Sequence, residues 1–146
     1  MENAFVEKVK SGLKDVMIDF AYPRPNRAYI FIEPTNLRKS ASFLFNELRC
    51  RFCIATAIDK RDGIEIIYHF HNDKEKIMVN LKTLVPKPEL IIDTISDIIW
   101  GALWIEREIH ELFGVKFFGH PNLEHLILAD DWPEGVYPYR RELKEK

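Results

Sequence analysis

Between Arg51 and Val85 three β-prone runs follow one another almost without pause: "RFCIATAID", "IEIIYHFH" and "EKIMVNLKTLV". The first two are joined by "KRDG", whose Asp62-Gly63 pair is a strong hairpin signal. Only a few residues, beginning with the turn formers Asn72 and Asp73, separate the second from the third. Connections this short return the chain alongside itself, which an antiparallel sheet permits and a parallel one does not. Pro86 and Pro88 then end the sheet, because proline donates no ladder hydrogen bond. Any fold of this chain has to be built around that sheet.

The flanking segments supply its cover. "ENAFVEKVKSGL" places Phe5, Val6, Val9 and Leu13 on one side of a short helix ending near Gly12. "DVMIDFAY" and "RAYIFIE" read as two further strands, broken by Pro23, Pro25 and Asn26. "PTNLRKSASFLFNELR" reads as a helix capped by Thr35 or Asn36, with Leu37, Ala41, Leu44, Phe45 and Leu48 as its buried stripe. A last helical region is expected from roughly Asp93 to Phe113, with a break possible at Gly101. The expected class is α+β, a largely antiparallel sheet with helices packed on one face and an extended C-terminal tail. Residues 1–114 form the domain and 115–146 the tail, in which only "NLEHLIL" looks regular. Phe117, Phe118, Trp132, Tyr137 and Tyr139 make that tail too aromatic to float in water, so it is expected to lie on a surface.

A chain of 146 residues suits one domain with one core. Its 21 Lys and Arg against 23 Asp and Glu lack the basic excess of an unassisted nucleic-acid binder. The most apolar run, Leu90 to Ile105, is short for a membrane span and contains Asp93 and Asp97. The N-terminus lacks the apolar core of a signal peptide. No direct membrane insertion is expected, so at a membrane other subunits would have to hold the chain. Two cysteines suit a reducing cytoplasm without structural disulfides.

Three constellations could carry chemistry. "CRFC", Cys50 to Cys53, has the spacing of a thiol redox pair or half a zinc site. It falls where a helix ends, the wrong polarity for lowering a thiol pKa, and no second pair completes a metal site. With Cys53 inside the strand, Cys53, Ala55 and Ala57 share a buried face, and both thiols read as ordinary. In "YHFH", His69 and His71 project to one strand face, the start of a metal site for a hydrolase. Their plainer reading is one histidine bonded to a sheet neighbour and one near the turn in solvent.

The third is "WIEREIHELFGVKFFGHP", Trp104 to Pro121. Ile105, Ile109, Leu112 and Phe113 form an apolar stripe that Ile98 and Ala102 extend backwards. Arg107 with Glu111, and Glu106 with His110, stand four apart and are expected to pair across a solvated outer face. Gly114 suits a left-handed C-terminal cap. No serine or cysteine nucleophile and no glycine-rich phosphate loop stands beside these charges, which argues for attachment over catalysis.

Those residues resemble the signature of the NuoC, or 30-kDa, subunit family of respiratory complex I. The matching elements are Glu106, Arg107 and Glu108; Glu111; Phe113 and Gly114; Gly119, His120 and Pro121; and Asp130, Asp131 and Trp132. His69 in "IIYHF" fits a strand the family shares, and the resemblance runs from about Ile64 to Arg141. After Trp132 the chain departs from the short ending usual in complex I. It reads "PEGVYPYRREL", with Gly135, Tyr137, Pro138, Arg140 and Arg141, and is more similar to the corresponding subunits of group 4 energy-converting membrane-bound nickel–iron hydrogenases and their sulfur-reducing relatives.

The resemblance implies a subunit with no catalytic residue, metal or cofactor of its own. Its tail would wrap a hydrogenase-like (NuoD-type) large subunit beside an iron–sulfur (NuoB-type) subunit. The nickel–iron centre and iron–sulfur clusters would sit in those partners, with antiporter-like membrane subunits linked indirectly. The implied location is the cytoplasmic face of the cell membrane, as a peripheral part of a complex that couples ferredoxin oxidation and hydrogen evolution to ion translocation. A quinone- or sulfane-sulfur-reducing complex is the alternative within that class. A free-standing C-x-x-C thiol oxidoreductase is the alternative outside it.

Overall fold

The computed structural model describes residues 3–141. Helix α1, Ala4–Gly12, is capped by Asn3, whose side chain accepts the Phe5 N–H, and buries Phe5, Val6 and Val9 as its spacing predicts. Strands β1 (Met17–Arg24) and β2 (Arg27–Ile32) form an antiparallel pair; Pro23 lies within β1, so the turn is confined to Pro25 and Asn26. Strands β3 (Arg51–Asp59), β4 (Gly63–Asn72) and β5 (Ile77–Pro86) are antiparallel neighbours, as their short connections require. The five-stranded order is β1-β2-β5-β4-β3, with β5 parallel to β2. The sheet is thus mostly antiparallel, with one parallel seam, in an α+β fold.

One face of β4 is fully buried through Ile64, Ile66, Tyr68 and Phe70. Against it pack Val6, Val9, Leu37, Leu44 and Ile109. Gly63 is required by space: a Cβ there would stand 2.2 Å from the Val85 carbonyl oxygen. A Cβ at Gly12 would fall 1.9 Å from the far edge of the Phe43 ring, which would have to move.

Several local expectations are corrected. The segment after β2 is not one capped helix. Pro34–Asn36 is a 3-10 turn, Leu37–Ser42 (α2) is α-helical and Phe43–Glu47 widens to a π turn, with no side-chain cap at its start. Phe45 and Leu48 are only half-buried. In β3 the register slips between Phe52 and Ile54, so Cys53 bulges out and is exposed, while Ala55 is buried. One extra residue in a strand moves it off the expected face. The last helix, α3 (Leu103–Phe113), begins ten residues later than expected, preceded by a 3-10 turn at Trp100–Ala102. Residues 94–99, expected to be helical, are turn and irregular chain, and they follow β6 (Ile91–Asp93), which pairs in parallel with β7 (Lys116–Phe118). Val115 and Phe117 are buried in the core. "NLEHLIL" is irregular. Among the described residues no helix is long and apolar enough to cross a membrane.

Candidate partner-docking site

Helix α3 buries Ile109 and Leu112 against the sheet, with Ile105 and Phe113 half-buried beside them. That orientation turns two acids inward that the i, i+4 spacing had placed on a solvated face. Glu106 is 0% exposed and Glu111 4%.

Glu106 ties α3 to the turn before it. Its carboxyl accepts the Thr94 hydroxyl and, at 3.0 Å, the Ile95 N–H. Thr94 Oγ1 also accepts the Ser96 N–H at 3.0 Å, so Thr94–Ser96 is a turn built around a buried carboxyl. The Ile98 and Ile99 N–H groups both close on the Ile95 carbonyl and Ile99 is extended, so this turn does not run on into α3. Burial, only partly offset by the Thr94 and Ile95 bonds, pushes the Glu106 pKa up to about 7. His120 lies 3.9 Å away, with Nε2 on the Leu103 carbonyl at 2.9 Å and Nδ1 accepting the Asn122 N–H at 3.0 Å. Glu106 does not meet His110, whose Nδ1 instead bonds the Val115 carbonyl at 2.8 Å. The Tyr68 hydroxyl is buried without a hydrogen-bond partner among the described residues; burial first, and the nearby Glu106 second, raise its pKa.

Arg107 and Glu111 do not pair either; both read the tail's backbone. The Arg107 guanidinium donates to the carbonyls of Glu124 (3.1 Å) and His125 (2.7 Å). Glu111 accepts the next three N–H groups, from Leu126 (3.0 Å), Ile127 (2.7 Å) and Leu128 (3.3 Å), and the His125 ring at 3.3 Å. Burial opposes ionisation of Glu111, but these donors outweigh it and hold its pKa below the usual carboxylate value. Five consecutive residues without secondary structure are thereby fixed to one helix. Glu108 is half-buried among Ile105, Ala55 and Ala57.

Past α3 the chain turns at Gly114 in the left-handed conformation expected, φ 84°. A Cβ here would also meet the Tyr137 ring at 2.8 Å. Gly119 (φ 87°) turns again beside Thr94, and Pro121 is exposed. Asp130 and Asp131 are exposed. Trp132 Nε1 donates to the Val136 carbonyl at 2.7 Å, closing a loop through Gly135 (φ 76°). Tyr139 stacks edge-on against Phe113 at 5.6 Å, and its N–H bonds the Leu112 carbonyl. Half-buried Pro138 lies between Tyr137 and Tyr139. Arg140 reaches the Phe113 carbonyl at 3.1 Å, with its guanidinium over the Tyr137 ring. The Arg141 N–H ends on Asp59, which also holds Lys87 at 2.7 Å. The tail thus lies on this chain's own α3 and sheet end. Thr94, which holds Glu106, and Asp59, which holds the Arg141 N–H, carried no spacing signal, since those partners are distant in sequence.

Between α3 and the tail runs an open groove of about 450 Å³, lined in part by Glu124, His125, Asp130, Trp132, Glu134 and Tyr137. Trp100 and Trp104, one turn apart, are exposed at 76% and 66%. His69 bonds Asn80 (2.6 Å) and Thr56 (2.9 Å), and His71 bonds Asp73 by the turn. Cys50 is buried, and burial raises its thiol pKa to about 11. Among the described residues no three His, Cys, Asp or Glu side chains gather to hold a metal.

Residues 30–146 match the family described as "Respiratory-chain NADH dehydrogenase, 30 Kd subunit". The chain is 26% identical over 140 residues to a subunit of the F(420)H(2) dehydrogenase of Methanosarcina mazei, covering 94% of this chain and 88% of that one. It is 33% identical over 117 residues to a subunit of the NADH-quinone oxidoreductase of Mesorhizobium japonicum, 76% of this chain but 57% of the relative. Its structure is similar to a chain of the membrane-bound sulfane sulfur reductase, an archaeal respiratory membrane complex. There the TM-score is 0.84 and the identity 26%, over 96% of this chain and 85% of that one. A trypsin-resistant fragment of Nqo5 shares the fold, with TM-score 0.62 and 17% identity over 81% of this chain and 96% of the fragment. The motif residues on α3 and the tail all lie inside the matched span, and the chain belongs to the 30-kDa subunit family of the respiratory-chain NADH dehydrogenase.

Proposed function

We propose that this chain is a non-catalytic subunit of the hydrophilic arm of a membrane-bound, complex I-related oxidoreductase. Its work is to hold cofactor-bearing neighbours in fixed relative positions. One observation carries the reading. Glu106, Arg107 and Glu111 are engaged within the chain, where Arg107 and Glu111 pin residues 124–128 to α3 and turn an irregular tail into a shaped surface. In this reading that surface meets a hydrogenase-like large subunit and an iron–sulfur subunit at the cytoplasmic face of the membrane. The nickel–iron and iron–sulfur centres belong to those partners.

The ending "PEGVYPYRREL" favours a membrane-bound nickel–iron hydrogenase that oxidises ferredoxin, evolves hydrogen and moves ions. The likeness to a chain of the sulfane sulfur reductase over 96% of this chain supports sulfane sulfur as the alternative acceptor. The test is to tag the chain, solubilise native membranes gently and identify what co-purifies, measuring nickel, iron and gas or sulfide production. Nickel with hydrogen evolution supports the hydrogenase; a large subunit without nickel, with sulfide production, supports the reductase. A chain that purifies alone overturns the docking role.

A further inference from the structure

We infer that the groove between α3 and the tail receives a basic segment of a partner subunit, an arginine or lysine side chain entering between Trp132 and the carboxylates of Asp130 and Glu134. The inference rests on the docking role proposed above and names what one part of that surface takes.

The groove's chemistry is one-sided. Glu124, Asp130 and Glu134 line it, and among the described residues no lysine or arginine does. Their carboxylates carry no hydrogen bond or ion pair to another described residue. Of the nearby cations, Arg107 has its guanidinium on the Glu124 and His125 carbonyls, and Arg140 lies over the Tyr137 ring and on the Phe113 carbonyl. Glu111, which also lines the groove, is satisfied by three backbone N–H groups. What remains are three carboxylates without a hydrogen bond or ion pair to a described residue, beside an indole held by its bond to the Val136 carbonyl.

Carboxylates next to an aromatic wall suit a cation with an apolar stem, which arginine and lysine provide. Nucleic acid and anionic lipid headgroups carry the wrong sign. A bare divalent ion is disfavoured because no three ligating side chains converge among the described residues. The volume, about 450 Å³, exceeds what one small cation fills. Leu126 and Ile127, 38% and 60% exposed, give the adjoining tail an apolar flank. A charged anchor flanked by apolar contacts is the chemistry of a protein segment.

The experiment labels carboxylates with carbodiimide and glycine ethyl ester, comparing the free full-length chain with the purified native complex by mass spectrometry. Asp130 and Glu134 should label readily in the free chain and at least five-fold more slowly in the complex. An isosteric Asp130→Asn/Glu134→Gln variant should melt like wild type when free, yet leave the complex at a several-fold lower salt concentration. Equal labelling in both states, or unchanged salt release, overturns the inference while leaving the docking role standing. Protection already present in the free chain overturns it too: a concentration dependence would assign the groove to a second copy, and reversal by EDTA to a metal. Failure of the wild-type chain to co-purify with any subunit sinks the docking role itself.

Discussion

Glu106 and Glu111 stand on the same helix, both buried, and burial is overcome at one and not at the other. Glu111 meets three backbone N–H groups and its pKa falls; Glu106 meets a hydroxyl and one N–H, and its pKa rises to about 7. Deeper burial with fewer donors raises the one, and shallower burial with more donors lowers the other.

The two acids act in different pH windows. Glu106 binds its proton more tightly folded than unfolded, so its contribution is most favourable below about pH 4.5 and declines as pH rises towards 7. The loss is about 3 kcal/mol. Glu106→Gln should flatten this slope in denaturant titrations between pH 4.5 and 7. An unchanged slope would show that Glu106 is not the titrating group.

Glu111 has the opposite sign. Its lowered pKa contributes stability that is complete above the ordinary carboxylate value and is lost as pH falls through the folded value. Glu111→Ala strands three amides and should cost about 3 kcal/mol at pH 7. Hydrogen exchange at Leu126, Ile127 and Leu128 should accelerate together, and more than in the sheet.

Gly114→Ala combines a left-handed backbone with a clash on Tyr137. The expected cost is about 2 kcal/mol. Near-ultraviolet circular dichroism should also change as Tyr137 is displaced. A variant melting within a degree of wild type would contradict the packing described.

The two thiols should separate kinetically. Cys53 on its bulge should react with a thiol reagent in the folded chain, while buried Cys50 reacts only on unfolding. Equal rates would place Cys50 nearer the surface than found.

Trp132→Ala and Arg140→Ala should weaken assembly several-fold while leaving the sheet intact, because both residues order the tail. Retention of the large subunit at wild-type strength by both variants would contradict the docking role.

The sheet was legible where contacts are local. The β3–β4 hairpin follows from "KRDG", and the buried face of β4 from alternation. The seam between β2 and β5 was not, because a parallel pairing across a long connection leaves no spacing signal. Nor was the Cys53 bulge, which no turn residue announces. On α3 the charged pattern identified the right residues but not their partners. Spacing shows that Arg107 and Glu111 share a face. It cannot show that backbone fifteen to eighteen positions further on will outcompete a neighbouring side chain for both.

The place of β5 has a consequence for synthesis. It is the last strand of the large sheet to leave the ribosome, yet it sits between β2 and β4. Until it emerges, the β1–β2 and β3–β4 hairpins have no strand to join them, and each presents an open edge where β5 will lie. A nascent chain halted before Ile77 therefore holds two separate sticky ribbons. Chaperone capture and misassociation should concentrate in that interval and end once Pro86 has cleared the exit tunnel.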